Sequence, residues 1–186
     1  MLDRPFNSKN YEQIKIKVTD FGFCRSPYEP YRGTSFRRVQ HPFDLIYCGT
    51  LPYSAPELLQ KRHYNPLTND LWAIGVMLYE MSAGKLPWNE REKNLLIQEQ
   101  AKGPSFGHSF NRNTKQLMDL ITGILQYNIE ERFVLRDILF HPFIFERFVS
   151  YERSRLGSSS AIVDNFESSL LSETRFVTPY RHGRNC

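Results

Sequence analysis

The chain has 186 residues, which suits a single domain followed by a tail. A hydrophobic share of 40% and an aromatic share of 14% are typical of a globular protein with a core, and the longest apolar runs are too short to span a bilayer. The formal net charge of +4 comes without a basic stripe interleaved with aromatic residues, so neither a membrane nor a nucleic acid is an expected partner. Three cysteines without C-x-x-C spacing and an N-terminus without a secretory signal predict a reducing compartment: the cytoplasm, with the nucleus as the alternative.

The first predicted element is a short strand. Residues 1–13 show no periodicity, and Ile14, Ile16 and Val18 then alternate with polar residues, as in a half-buried strand. The strand leads directly into the tripeptide Asp-Phe-Gly. Residues 23–47 are rich in Pro, Tyr and Arg and predict a long loop, a feature that is often functional.

Two helices are predicted after the loop. The first covers residues 54–61, with Ser54 as N-cap and Pro56 in its first turn. The second covers residues 69–82, with Asn69 as N-cap, and ends at Gly84. The second helix is apolar on nearly every side, so we expect it to be surrounded by neighbours.

Three further helices are predicted at residues 90–101, 114–126 and 134–140, the second with one strongly apolar face. The Ser- and Arg-rich sequence after residue 148 predicts a mostly disordered tail, with a transient helix at 161–171. The fold class is therefore mainly α, with one visible strand.

Four motifs follow one another along the chain. They are D-F-G from Asp20, the stretch CGTLPYSAPE that ends at Glu57, the pattern D-x-W-x-x-G from Asp70, and Arg132 followed by a helix and His-Pro-Phe. In this order they resemble the C-terminal lobe of a eukaryotic protein kinase. The resemblance is to the calmodulin-dependent-kinase group, and most of all to testis-specific serine kinases. It implies a remnant at residues 1–13, a kinase C-lobe fragment at 14–145 and a tail at 146–186.

The resemblance implies roles for residues 19–22. Asp20 would bind Mg²⁺, which prefers oxygen ligands and is commonly held by one or two carboxylates together with ATP phosphates. Thr19 would line the nucleotide site, Phe21 would pack into the core and direct the carboxylate, and Gly22 would permit the backbone turn. ATP and Mg²⁺ are the cofactors that the complete kinase would use.

The resemblance also implies roles for four residues further along the chain. The Thr50 hydroxyl would help to hold the catalytic base, although an ordinary turn threonine is the alternative. Glu57 and Arg132 would form a buried ion pair, and Asp70 would brace the catalytic loop, or equally serve as an acidic residue in the first turn of a helix. The implied activity is phosphoryl transfer from ATP to serine and threonine of protein substrates. Substrate sequence preference and oligomeric state stay open.

The sequence also departs from the family pattern. It has no G-x-G-x-x-G loop, no V-A-I-K strand lysine and no H-R-D-L-x-x-x-N catalytic loop, and residues 1–3 match the stretch that follows that loop. We therefore expect the chain to begin at an internal methionine and to be inactive alone. Ile46 occupies the usual activation-loop threonine slot, while Thr34 and Ser35 lie at a different offset. A noncatalytic binding module and a pseudokinase are the alternatives.

Overall fold

The chain divides into two compact units, Met1–Gly49 and Thr50–Cys186. The computed structural model describes residues 17–22, 24, 28–31, 35–38, 49–62, 66–108, 110 and 114–156. Residues 1–13, Ile46, Thr34 and the predicted helix at 161–171 lie outside these residues.

A β-hairpin lies in the first unit, within the segment that was predicted to be a loop. Strand β1, Tyr28–Tyr31, pairs antiparallel with β2, Ser35–Arg38, and Tyr31 lies opposite Ser35. The strands were missed because each has only four residues and their sequences carry charges and a proline, which weaken the strand pattern.

The predicted strand before D-F-G is only partly within the described residues. Ile14 and Ile16 lie outside them, and residues 17–19 are irregular, with Val18 exposed. The half-buried strand is therefore not seen at its described end.

The second unit is helical. A 3-10 turn at Leu51–Tyr53 is followed by α1 (Pro56–Leu59), α2 (Pro66–Ala83), α3 (Lys93–Ala101), α4 (Lys115–Ile124), α5 (Leu135–Leu139) and α6 (Pro142–Leu156). The mainly helical class predicted from sequence is confirmed in this unit.

Both predicted N-caps are wrong. Helix α1 begins after Ala55, which has extended backbone and makes no side-chain cap. Helix α2 begins at Pro66, because a proline at the first helical position has its backbone angle already set and has no N–H that must be paired. Asn69 therefore lies inside α2, and its side-chain oxygen accepts a hydrogen bond from the Ala55 N–H at 3.3 Å.

Helix α2 is the centre of the core, but it is not enclosed on all sides. Trp72, Val76 and Tyr79 are buried. The exposed side carries Ile74, Met77 and Met81, whose exposed fractions are 39%, 47% and 75%. Neighbours therefore cover one side of this helix, while the apolar residues of its other side are exposed.

The amphipathic pattern of α4 is confirmed. Its inward face, Leu120, Ile121 and Ile124, is buried. The contact with α2 is close at Gly75, where an added Cβ would lie 2.6 Å from the Ile124 side chain. A residue without a side chain is what lets the two helices approach.

Helix α6 extends into the predicted tail, so residues 146–156 are helical. The His141 ring caps this helix, since its Nδ1 accepts the Phe143 N–H at 3.2 Å while its Nε2 lies 3.2 Å from Asp119 Oδ2. Val149 is buried, and the few apolar residues of α6 are enough to hold it on the domain. Among the described residues, no helix is both long and apolar enough to cross a membrane.

Candidate functional site

The D-F-G turn is formed by an unusual backbone conformation at Asp20. Its φ is +64°, in the left-handed region, which aspartate enters more readily than most residues. The Gly22 N–H points toward Asp20 Oδ1 at 3.4 Å, and the Cys24 N–H donates to the Phe21 carbonyl at 3.0 Å. Strained backbone is concentrated at functional sites, so this conformation marks Asp20 as a candidate.

Gly22 lies in the turn that follows Asp20, which the Cys24 N–H closes on the Phe21 carbonyl. Its φ is not in the left-handed range; the positive φ of this turn belongs to Asp20. A Cβ at Gly22 would lie 3.3 Å from Asp20 Oδ1, which is a tight contact. The missing side chain therefore makes room for the carboxylate.

The side chains of this turn lie at the surface. Thr19 and Asp20 are exposed, and Phe21 is 66% exposed, which contradicts the expected packing of its ring into the core.

The carboxylate of Asp20 suits a magnesium ion as a single ligand. Among the described residues, no group of three or more His, Cys, Asp or Glu side chains could hold a metal. Mg²⁺ can be held by one or two carboxylates together with substrate phosphates, so a lone exposed Asp20 fits that chemistry.

The substrate loop, which we define as residues 50–55, begins with an exposed threonine. Thr50 precedes the 3-10 turn, its carbonyl accepts the Tyr53 N–H at 3.0 Å, and its side chain makes no cap. The hydroxyl is thus not used by the turn itself.

Tyr53 anchors this loop to α2. Its hydroxyl donates to Glu80 Oε2 at 2.6 Å. The hydrogen bond to the carboxylate, followed by burial and the negative charge, raises the pKa of Tyr53 above its ordinary value of 10.0. Sequence reasoning missed this pair. The available signal was Glu80 itself, a carboxylate on a helix that is otherwise apolar.

The structure brings Glu57, on α1 just after the substrate loop, together with Arg132. Arg132 Nη1 lies 2.6 Å from Glu57 Oε1, and Nη2 lies 3.0 Å from Oε2, so the contact is bidentate. The exposed fractions of the two side chains are 1% for Arg132 and 7% for Glu57. A charge pair this deeply buried needs further partners, because desolvation opposes it.

The guanidinium of Arg132 finds those partners in the core. Its Nε donates to the Gln126 carbonyl at 2.9 Å, and its charge lies 4.6 Å from the centre of the Trp72 ring. Trp72 in turn stacks on Trp88 at 5.6 Å. Trp72 is buried and therefore belongs to the core.

Asp70 is on α2, in its second turn rather than its first, because the helix starts at Pro66. The residue is exposed, yet neighbouring protein atoms desolvate its carboxylate and raise its pKa above 3.8. No hydrogen bond to this side chain is found among the described residues. Of the predicted site residues, Thr19–Gly22 lie in the first unit, and Thr50, Glu57, Asp70 and Arg132 lie in the second.

The chain belongs to the protein kinase family: residues 6–144 match the protein kinase domain. Mouse testis-specific serine/threonine-protein kinase 1 is 32% identical over 179 residues, which are 95% of this chain and 43% of that protein. Mouse testis-specific serine/threonine-protein kinase 2 is 35% identical over 146 residues, covering 77% and 36% of the two chains. For mouse testis-specific serine/threonine-protein kinase 5 the identity is 32% over 130 residues, with coverage of 70% and 32%.

These relatives place the chain with the serine/threonine kinases, as the motifs indicated. The helical second unit is consistent with the C-terminal lobe of that family. The chain spans about a third to two fifths of the length of these relatives.

Proposed function

We propose that this polypeptide is the C-terminal part of a serine/threonine protein kinase. In the complete enzyme, the bond from the γ-phosphorus of ATP to its bridging oxygen breaks and a bond to a serine or threonine oxygen forms. ADP leaves, and the hydroxyl proton passes to a base. The observation that carries this proposal is the buried bidentate Glu57–Arg132 pair, in the place that the family motifs require.

Asp20 is the residue we assign to the metal. Its carboxylate is exposed, and the Gly22 N–H lies 3.4 Å from its Oδ1. Bound Mg²⁺ and ATP would supply the phosphoryl group and the neutralising charge. Thr19, Phe21 and Gly22 complete the cofactor-binding segment: Thr19 lines the nucleotide site and Gly22 leaves space for the carboxylate.

Thr50 and Asp70 are the residues we assign to holding the catalytic loop of the complete enzyme from outside it. Both side chains are exposed, and neither is paired within the described residues. The Thr50 hydroxyl would help to hold the catalytic base, and the Asp70 carboxylate would accept backbone N–H groups of that loop. The Glu57–Arg132 pair keeps the end of the substrate loop on the helical core while a protein substrate binds.

We further propose that the chain alone transfers no phosphate. A positioned catalytic base contributes roughly 10²–10⁴-fold to such a reaction. The sequence carries neither the H-R-D loop that holds this base nor the lysine and glycine-rich loop that hold the phosphates.

The protein would act in the cytoplasm, or in the nucleus.

The second candidate function is a noncatalytic binding module, with or without a degraded kinase upstream of it. One observation favours it: the substrate loop is fixed to α2 by Tyr53 and Glu80, and to the core by Glu57 and Arg132, all within the second unit. A loop held in this way could bind protein partners without any chemistry at Asp20.

Transcript sequence immediately 5′ of the Met1 codon separates these functions. An in-frame H-R-D-x-x-x-x-N would support the enzyme, whereas an in-frame stop codon would support the module. The longest in-frame product, incubated with radioactive ATP and a serine-containing protein, should transfer label. The Asp20→Asn variant of the same product should not. Label transfer of equal rate in both proteins would exclude the assigned role of Asp20.

A further inference from the structure

One peptide unit of the substrate loop is held from both sides by side chains of other helices. The Ser54 carbonyl accepts a hydrogen bond from Gln100 Nε2 at 3.0 Å, and the Ala55 N–H donates to Asn69 Oδ1 at 3.3 Å. Both groups belong to the same planar peptide. We propose that Asn69 and Gln100 are positioning residues that fix the substrate loop. Their value to a kinase rests on the function proposed above.

This peptide lies between the 3-10 turn and the start of α1, and the backbone hydrogen bonds of these two elements do not use its C=O or its N–H. The 3-10 turn closes with the Ser54 N–H on the Leu51 carbonyl at 3.1 Å, and α1 opens with the Leu59 N–H on the Ala55 carbonyl at 3.1 Å. The Ser54 carbonyl and the Ala55 N–H lie between these two bonds. Ser54 is 4% exposed and Ala55 is fully buried, so both groups need partners from the protein.

The two amide side chains come from different helices. Gln100 lies at the end of α3 and is fully buried; Asn69 lies inside α2 and is partly buried. Gln100 Oε1 is buried without a hydrogen-bond partner in the described part of the chain. A buried oxygen without a partner destabilises the fold, and an apolar residue at this position would avoid that cost. The hydrogen bond from Nε2 to the Ser54 carbonyl offsets the cost of the unpaired oxygen.

The amide clamp, formed by Asn69 and Gln100, restricts rotation of the whole peptide plane. Such a rotation would change ψ of Ser54 and φ of Ala55 together, and it would break both hydrogen bonds. On one side of the clamp lies the Tyr53–Glu80 contact, and on the other lies Glu57 with its arginine. The clamp therefore sets how the exposed start of the loop is presented relative to its buried end.

Amide hydrogen exchange, followed by NMR on the full chain, tests this assignment. Asn69→Ala should speed exchange of the Ala55 amide by about tenfold, since one hydrogen bond is lost. The Tyr53 and Ser54 amides, which close the 3-10 turn, should speed up with it. Asn69→Asp should restore protection, because its carboxylate can still accept the Ala55 N–H. As a matched control, Gln116→Ala removes a surface amide near Glu146 and should change none of these rates.

A second variant, Gln100→Met, removes the donor while keeping a side chain of similar length. It should also speed the Tyr53 and Ser54 amides, while the Val76 amide in the middle of α2 keeps its protection. Unchanged Ala55 exchange in Asn69→Ala would overturn the clamp. So would acceleration of Ala55 alone, or equal acceleration of Val76, because these outcomes indicate a local bond or a general loss of stability. The readout needs neither ATP nor substrate, so a failure of the proposed kinase function leaves it interpretable.

Discussion

Glu57 and Asp20 are two acidic residues from the same set of kinase motifs, yet their surroundings are opposite. Glu57 is buried, bound through both oxygens to Arg132, and tied through that arginine to Gln126 and Trp72. Asp20 is exposed, and its described contact is the N–H of Gly22, two residues away. The residue with an architectural role has its partners within its own unit, whereas the residue proposed to bind metal keeps its carboxylate open to solvent.

The largest expected effect is at the buried pair. Glu57→Gln should lower the free energy of unfolding by about 3–5 kcal/mol, because it leaves the Arg132 charge buried without its counter-charge. Urea or guanidinium unfolding measures this loss. Replacing both residues with apolar ones, as in Glu57→Leu with Arg132→Met, should cost less than the sum of the single changes.

Asp20→Asn is the counterpart in the exposed turn, and it should change the unfolding free energy by no more than about 0.5 kcal/mol. Lys102→Met, which breaks an exposed ion pair with Glu99, should likewise cost at most about 1 kcal/mol. If Asp20→Asn were as destabilising as Glu57→Gln, the contrast between an architectural and an open site would be lost.

A second, smaller effect concerns two glycines. A Cβ at Gly123 would lie 2.2 Å from the Phe133 ring, so Gly123→Ala must displace that ring and should cost about 1–3 kcal/mol. Gly22→Ala meets only the Asp20 carboxylate, at 3.3 Å and at the surface. Thermal unfolding should separate the two variants clearly. Equal melting temperatures would contradict the tight packing of α4.

The smallest effect is the pH dependence at Asp70, an exposed acid on α2 of the second unit. Since desolvation raises its pKa above 3.8, the folded protein binds this proton more tightly than the unfolded chain does. Its contribution to stability is therefore fully present below about pH 3.8 and is lost as the pH rises through the folded pKa. Relative to Asp70→Asn, the wild type should gain stability on acidification from pH 7 to pH 4. A parallel pair of stability–pH curves would exclude the shift.

Much of the helical scaffold could be predicted from the sequence. The periodic apolar residues of α4 and the motif spacing that pairs Glu57 with Arg132 are properties of local pattern and family likeness. The helix starts were less predictable. Ser54 and Asn69 were expected to be N-caps, but α1 begins after Ala55, and the Asn69 side chain accepts the Ala55 N–H in the amide clamp. Which partner such a residue finds depends on residues far away in the chain, such as Gln100.

The D-F-G turn also has features that could not be predicted from the sequence. Gly22 was expected to permit the turn, but nothing in the sequence indicated that the positive φ of this segment would belong to Asp20. Phe21 was expected in the core because the family resemblance implies that role at this position. Its ring is 66% exposed, since burial depends on which elements cover a residue and not on the motif alone. The hairpin at residues 28–38 was missed because four-residue strands carry too little pattern.

The most direct test of the account is phosphoryl transfer by the purified chain itself. The chain and its Asp20→Asn variant are incubated with radioactive ATP, Mg²⁺ and a serine-containing protein. We expect both to match a blank without enzyme, because the residues that hold the phosphates and the base are not in this sequence. Label transfer by the wild-type chain that is abolished in Asp20→Asn would contradict the account.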